Sequence, residues 1–587
     1  MNEFIPGENP DFDAFYAIFF IENHLDHSIY PDQVASPEQI GFMVYMKHEK
    51  THYYPCTDRM FNTIISRGEN PELEGIYAKV RQRILKLVDD FIDDGEKKDF
   101  LRSLLEIKFI HETRDLMMIP SRLEKRLFKI FINQSGISDP YMSIKMKKNK
   151  KVKDLLDSKI FKKSIDAVNI NKDTGVPDSL GEIRRKLEYI ELRRFISLIG
   201  SAEFFENTEL SDIDEAKLSG CFDKKFIGNG TQEFFSFLGI AGGGSVIEKR
   251  SKKKIMWLAD EAGEVIIDIR IVNYLASLGH KIFLVFKDSP VYSKVDITDA
   301  EEDVTLHDEL SHAEFIYNKE LSKNQIISYL QKEKNVLVIS DGTQENLNLL
   351  LASTTFARAF KESDAVISRG KEQKRRFFDT HFTFTRPIFN ISHDEKGYVV
   401  IDYKKPHPEV IRFTREDLER KAYSIIETMK DKKDSGSAVM FYSGIIGSIP
   451  GKIDEATKIM TTFVRYLEES FENTFIINPS DYYEPGMDAD DLMYMWEIVQ
   501  RSGYIDIWRF QTYDDIAQSF RLLNQKVPPE WVGKDATFST GCTKEMNIAL
   551  SVLKHNPEMQ LIGPSPEKFK RRRDYGIGKM YDKILSE

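Results

Sequence analysis

The chain has 587 residues, of which 41% are hydrophobic, and this is enough for the cores of roughly two to four domains. A net charge of −11 argues against a dedicated nucleic-acid-binding protein, because such proteins carry excess positive charge. Three widely spaced cysteines and the lack of any long apolar stretch or signal pattern predict a cytoplasmic protein that does not enter a membrane.

Residues 1–200 form the first predicted domain, and it is helical. Apolar residues recur at three- and four-residue spacing from Leu73 to Ile107 and from Leu180 to Ile199, which is the period of amphipathic helices. Between these segments, the basic run from Lys145 to Lys153 predicts a solvated, mobile connector.

Strands and helices alternate in the second predicted domain, residues 201–429. Apolar runs predict four strands, at Ile255–Ala259, Lys281–Phe286, Asn335–Ser340 and Asp364–Ser368. Strands that alternate with helices favour a doubly wound, mostly parallel sheet with right-handed crossovers. The carboxyl ends of these strands are then expected on one edge, where ligands bind.

A charged stretch of small residues, Lys430–Ser437, is the predicted linker to a third region, residues 438–587. Strand-like Ala438–Tyr442 and Thr474–Ile477 with a helix between them predict an additional α/β unit. The fold class is therefore α/β, with a helical N-terminal region and a C-terminal extension. A protein partner is one hypothesis for the role of that extension.

Polar residues follow each predicted strand of the second domain. They are Asp260 and Glu261, the loop containing Asp296, the segment Ser340–Gly342 and the segment Ser368–Gly370. Carboxylate oxygens suit hard cations such as Mg²⁺ and Mn²⁺. These positions predict a divalent metal held by Asp260, Glu261 and Asp296.

Glu264 and Asp268 lie four residues apart on the next helix, so they share one helix face. Glu264 stands near the helix start, where a negative charge stabilises the helix dipole. We favour this structural interpretation over metal ligation for both residues.

The central region resembles the damage-control phosphatase family, also described as an acidic-residue-methyltransferase-like metal-binding domain. The resemblance covers about residues 225–370 and rests on four segments in the family's order. They are LADEAGEVIID at 258–268, Pro290 with Asp296 and Thr298, SDAVISRG at 363–370, and the pair Gly228–Asn229. Ser293–Lys294 is an alternative register for the second segment.

The resemblance implies a divalent metal (Mn, Mg, Ni or Co) and hydrolysis of a small, sugar-phosphate-like phosphorylated metabolite. It implies catalytic roles for Asp260 and Arg369. The substrate-binding residues that it implies are Asn229, Ser368, Arg369 and Gly370, and the position of Ser340 and Gly342 after a predicted strand adds them as candidates for binding the phosphate. Glu261 replaces the family's asparagine and Arg369 its lysine. If the domain is active, Arg369 is expected to point into the same cleft as Asp260.

Three functions follow from these patterns. The leading hypothesis is a metal-dependent phosphatase. The second is a protein carboxylate methyltransferase, which is ranked lower because no glycine-rich S-adenosylmethionine loop is evident. The third is a catalytically degenerate domain that binds a ligand or partner.

Overall fold

The structure is a computed structural model that describes residue 7 and residues 9–46, 52–66, 70–167, 180–240, 251–449 and 451–570, except the side chains of 202 and 203. The chain divides into two compact units, Met1–Pro408 and Glu409–Glu587. The predicted domain limits at residues 200 and 429 stay predictions.

The first unit begins with helices, and many of them have sequence-encoded starts. Asn9, Ser36, Thr57, Asn70 and Asp94 each accept a backbone N–H at a helix N-terminus. The helices are α1 (Pro10–Glu22), α2 (Pro37–Gly41), α3 (Asp58–Ile65), α4 (Pro71–Phe91), α5 (Gly95–Thr113), α6 (Pro120–Ser135), α7 (Met142–Asp157), α8 (Lys159–Asp166) and α9 (Leu180–Ser197). The predicted helical N-terminal region is confirmed.

The basic run Lys145–Lys153 corrects the sequence interpretation. It lies within α7 rather than in a mobile connector. Lys145 and Asn149 are buried on the helix face that also buries Val152 and Leu156. The prediction failed because a run of charges reveals nothing about which of them meet distant opposite charges.

The remaining helices of the first unit follow or connect strands. They are α10 (Ala202–Asn207), α11 (Glu215–Phe222), α12 (Thr231–Phe237), α13 (Glu264–Ser277), α14 (Asp299–Glu302), α15 (Val304–Glu309), α16 (Lys323–Gln331), α17 (Thr354–Glu362) and α18 (Gly370–Phe378).

Eight strands form one sheet in the order β1-β8-β7-β6-β2-β3-β5-β4. They are β1 (Phe226–Ile227), β2 (Lys254–Leu258), β3 (Lys281–Phe286), β4 (Glu314–Ile316), β5 (Val336–Ser340), β6 (Ala365–Arg369), β7 (Ile388–His393) and β8 (Val399–Lys404). The pairs β2–β3, β2–β6 and β3–β5 are all parallel, which confirms the prediction for the four central strands. β7 and β8 are antiparallel.

Both faces of this sheet are buried, as expected for parallel strands between helical layers. Successive side chains point to opposite faces. Met256 and Phe283 belong to one core with Leu127 of α6, and Trp257 and Leu284 belong to the other with α13. The strands therefore present only their ends to ligands.

The loop after β3 returns across the strand ends. Val295 accepts a bond from Lys287 N and donates one to Asp260 O, at 3.0 and 3.1 Å, and Ile297 N bonds Lys287 O at 2.9 Å. This loop thereby fixes Asp296 and its neighbours beside the ends of β2 and β3.

The second unit is a smaller parallel sheet in the order β10-β9-β11-β12. Its strands are β9 (Ala438–Ser443), β10 (Thr474–Ile477), β11 (Ile507–Phe510) and β12 (Gln560–Ile562). Its helices are α19 (Arg415–Asp434), α20 (Ile453–Ser470), α21 (Ala489–Gln500), α22 (Tyr513–Leu522), α23 (Thr540–Leu553) and α24 (Pro566–Lys570). The first residues of the predicted linker, 430–434, are the last turn of α19. Among the described residues, no helix is long and apolar enough to cross a bilayer.

Candidate active site

Asp260 and Glu261 directly follow β2, and backbone bonds hold them against the loop after β3. Ala262 N donates to Ser293 O at 2.9 Å. The Ser293 hydroxyl also donates to the Glu261 carboxylate. Two strand ends that are adjacent in the sheet thus bring Asp260, Glu261 and the loop residues 293–296 together.

A lysine ammonium group, Lys294 Nζ, lies between the first two predicted metal ligands. It bonds Asp260 Oδ1 directly and lies 3.3 Å from Glu261 Oε1. Asp260 and Lys294 are both buried, at 9% and 8% exposure. Burial lowers the pKa of Lys294, but Asp260 and Glu261 outweigh burial and raise it, so the ammonium is charged.

Asp296, the third predicted ligand, belongs to a different cluster. Its Oδ2 lies 3.0 Å from Lys145 Nζ, which also contacts Asp299 and Asp139 at 2.6 Å each. Burial opposes charge on Lys145, yet Asp296 and Asp299 together raise its pKa. Burial, followed by the nearby Asp296 charge, raises the pKa of Asp299 to about 7.

Among the residues that the structure describes, Asp139, Asp296 and Asp299 form a trio of carboxylates. One oxygen of each lies within 4.8 Å of the others. That spacing is compatible with a metal ion. Asp260 and Glu261 do not belong to this group. The structure therefore brings Asp260 and Glu261 together around one lysine and places Asp296 around another.

Arg369 ends β6 and is buried at 1% exposure. Its Nε donates to Asp268 Oδ1 at 2.6 Å, its Nη2 to Glu264 Oε2 at 3.1 Å, and its Nη1 to the Ile391 carbonyl at 2.6 Å. These three bonds engage each nitrogen of the guanidinium. Glu264 lies in the first turn of α13, as the sequence predicts. Both Glu264 and Asp268 also pair with Arg369, a contact that the sequence does not indicate.

Ser368 and Gly370 flank Arg369, and both form hydrogen bonds within the protein. Ser368 Oγ donates to Phe389 O at 3.2 Å, while Asn390 Nδ2 donates to Ser368 Oγ at 2.9 Å and Gly370 O at 3.1 Å. Gly370 has φ +79°, and a Cβ there would collide with the Asp260 carboxylate. A glycine is needed here because the backbone passes so close to Asp260.

The segment Ser340–Gly342 contains a third lysine–aspartate pair. Lys287 Nζ lies 2.5 Å from Asp341 Oδ2, and both residues are buried. Ser340 Oγ donates to Asp288 at 3.0 Å. Gly342 has φ +80°, and a Cβ there would lie 2.6 Å from Ser353 N. This segment is thus a tight, charge-paired turn.

Asn229 binds the backbone of the sheet rather than joining the residues around Lys294. Its Oδ1 accepts Tyr403 N at 2.8 Å, and its Nδ2 donates to Tyr403 O at 3.3 Å. Gly228 lies beside it at φ +100°, and a Cβ there would collide with the Ile401 carbonyl. This pair fastens the segment after β1 to β8.

The sequence profile of the damage-control phosphatase ARMT1-like domain matches residues 52–400, more than half of the chain. The chain belongs to this family. The ARMT1-like domain lies within the first unit. It includes every residue of the two clusters around Lys294 and Lys145. The family contains metal-dependent phosphatases, so membership supports a metabolite-repair phosphatase or a related role.

Among solved structures, a DUF89 family protein from Pyrococcus horikoshii is similar to this chain. The two are 18% identical, with a TM-score of 0.37, and the match covers 56% of this chain and 95% of that one. Comparison with curated proteins gives no match.

The donors at Asp260 and Glu261 do not fit a divalent metal in this arrangement. Lys294 Nζ already supplies positive charge at hydrogen-bonding distance from Asp260, and a cation at that point would meet the ammonium group. In the ARMT1-like domain, the site residues that sequence reasoning missed are Lys145, Asp139 and Asp299. The available signal was the three- and four-residue spacing of Lys145, Asn149, Val152 and Leu156, which places them on one face of α7.

Proposed function

We propose that the ARMT1-like domain of this chain is a non-hydrolytic member of its family, a binding protein in which lysine ammonium groups replace the metal ion. The observation that carries this proposal is the buried contact of Lys294 Nζ with Asp260 and Glu261. A metal centre needs carboxylates that are free to ligate. Here the ammonium group of Lys294 already contacts both carboxylates, and an ammonium group cannot activate water.

The inward position of Arg369 supports the same conclusion. A phosphate clamp needs guanidinium donors that face the ligand. Each nitrogen of Arg369 instead bonds a protein oxygen, on Asp268, Glu264 or Ile391. Because the pair with Asp268 is buried, turning Arg369 towards a ligand would leave an unpaired buried carboxylate.

A metal-dependent phosphatase acting on a small phosphorylated metabolite is the second candidate. It is favoured by family membership and by the carboxylate trio Asp139, Asp296 and Asp299, whose spacing suits a cation. For this trio to bind a metal, Lys145 must leave it. The candidate therefore requires a second position for a side chain that is fully buried and contacts all three carboxylates.

Phosphate release separates the two candidates. The full chain is incubated with a panel of sugar phosphates, with and without Mn²⁺, Ni²⁺ or Co²⁺, and inorganic phosphate is measured. The non-hydrolytic proposal expects no metal-dependent release above a heat-denatured control. Release that depends on a metal and is lost in Asp296→Asn would favour the phosphatase.

A further inference from the structure

A cavity of about 180 Å³ lies between α6 and the loops after β3 and β5 of the first unit. From α6 it is lined by Lys125, Phe128, Lys129 and Ile132, which share one helix face by their three- and four-residue spacing. Ser289 and Gln344 line it from the two loops. Loops at the carboxyl ends of parallel strands are where α/β sheets bind ligands.

The polar side chains of this cavity are free to meet a ligand. Among the described residues, none of them forms a hydrogen bond or a salt bridge with another side chain or with the backbone. They are Lys125, Lys129, Asn133, Ser138, Ser289 and Gln344. By contrast, the buried lysines Lys145 and Lys294 each contact carboxylates.

A second cavity, of about 260 Å³, shows that lysines alone do not define such a site. It is lined by Lys148 and Lys151, among others. Lys148 Nζ lies 2.8 Å from Glu206, and Lys151 Nζ lies 2.8 Å from Glu209. Because carboxylates already neutralise these lysines, that cavity offers little attraction to an anion.

The positive charge around Lys125 is only partly compensated. Burial lowers the pKa of Lys125 and the neighbouring Arg122 lowers it further by repulsion, while Glu345 raises it by less than these effects lower it. The nearby carboxylate Glu345 is 2.5 Å from Arg122 and also accepts a bond from Asn348. A dianion bound beside Lys125 and Lys129 would relieve this repulsion and gain charge-assisted hydrogen bonds.

We propose that this cavity binds the phosphate group of a small phosphorylated ligand, with Lys125 and Lys129 contacting the phosphate oxygens and Phe128 and Ile132 contacting the apolar part. Hydroxyl and amide groups from Ser289 and Gln344 add neutral donors on the opposite wall. The proposal does not depend on whether the carboxylates around Lys294 or Lys145 hold a metal, because none of these residues lines the cavity.

Titration of the full chain with inorganic phosphate and with glycerol 3-phosphate, followed by calorimetry, tests this proposal. Glycerol and sodium chloride at equal concentration are the ligand controls. We expect saturable binding of both phosphates and of neither control. Lys125→Gln and Lys129→Gln should each weaken binding about tenfold or more, the scale of one lost charge-assisted bond.

Lys147→Gln is the matched control, because Lys147 is exposed on α7 and does not line the cavity. Its phosphate affinity should equal that of the wild type. If Lys125→Gln does not fold, the exposed Lys129 still gives the result. Absence of saturable binding to the wild type, or equal affinity in wild type, Lys129→Gln and Lys147→Gln, would overturn the proposal.

Discussion

Arg369 Nε donates to Asp268 Oδ1 at 2.6 Å, and both side chains are 1% exposed. The two residues are 101 positions apart in sequence, and their pairing joins the end of β6 to α13. The arginine that the family resemblance assigns to the substrate therefore links two elements of the fold.

Replacing Arg369 should mainly affect folding. Arg369→Ala leaves Asp268 buried without its partner, which costs roughly 3–5 kcal/mol of unfolding free energy. Urea unfolding of the full chain measures this loss. Arg375→Ala is the control, because Arg375 lies on α18 in an exposed pair with Glu372 and should cost at most about 1 kcal/mol. Equal losses in the two variants would count against the buried-pair account.

Replacing Lys145 should create a need for a cation. Lys145→Met leaves Asp139, Asp296 and Asp299 without their shared ammonium, so we expect a loss of roughly 3–5 kcal/mol. Mn²⁺ at about 100-fold its Kd should return about 2.7 kcal/mol to the variant.

Thermal unfolding with and without Mn²⁺ measures this rescue. The wild type and Lys147→Met should not respond to the metal, because Lys145 still contacts all three carboxylates in both. A wild-type Tm that rises with Mn²⁺ as much as that of Lys145→Met would show that Lys145 does not compete with the ion.

Gly370 should be intolerant of a side chain for two separable reasons. Gly370→Ala incurs the left-handed backbone cost of about 1–2 kcal/mol. It also places a Cβ against the Asp260 carboxylate, with overpacking that typically costs about 1–3 kcal/mol more. Gly136→Ala isolates the first effect, because Gly136 has φ +75° and open space around it. Urea unfolding should therefore show the larger loss for Gly370→Ala; equal losses would remove the contact with Asp260 from the account.

The second unit should lose stability as pH rises towards neutrality. Burial raises the pKa of Glu545 from 4.5 to about 7. Between these values the folded state holds a proton that the unfolded state releases. The stabilisation is thus complete below about pH 4.5 and is lost as pH rises through about 7, by roughly 3 kcal/mol in total.

Tryptophan fluorescence is a suitable probe, because Trp496, Trp508 and Trp531 all lie in the second unit. The urea midpoint should fall between about pH 5 and about pH 8 in the wild type. Glu545→Gln keeps a neutral side chain beside Gln500 and should lose most of this dependence. The same pH slope in both proteins would exclude Glu545 as its source.

Several features of the fold were predictable because they depend on local sequence. The apolar runs of β2, β3, β5 and β6 are fully buried strands, so their composition alone marks them. Asp488 precedes the first residue of α21, a position where aspartate is favoured, and it accepts a bond from Asp491 N. The very short β4 has too few residues to give a comparable signal.

The candidate site was less predictable because its decisive contacts are between distant residues. Lys145 meets Asp296 across 151 positions, and nothing near Lys145 indicates that partner. Lys294 lies 34 positions from Asp260 and was visible only as an alternative register of the loop. Sequence motifs located Asp260, Glu261 and Asp296 but not Asp139 or Asp299, and the lysines that contact all of these carboxylates are brought to them by the folded geometry.

If Lys294 takes the place of the metal beside Asp260 and Glu261, as we propose, the wild-type protein should not bind a metal ion at this point. Counting Mn²⁺ bound per full-length chain, by equilibrium dialysis and electron paramagnetic resonance, tests it most directly. The matched variant is Glu261→Asn/Lys294→Asp, which restores the family's asparagine and replaces the ammonium with a carboxylate ligand. We predict no stoichiometric Mn²⁺ on the wild type and one saturable Mn²⁺ on the variant; one tightly bound Mn²⁺ per wild-type chain would contradict the account.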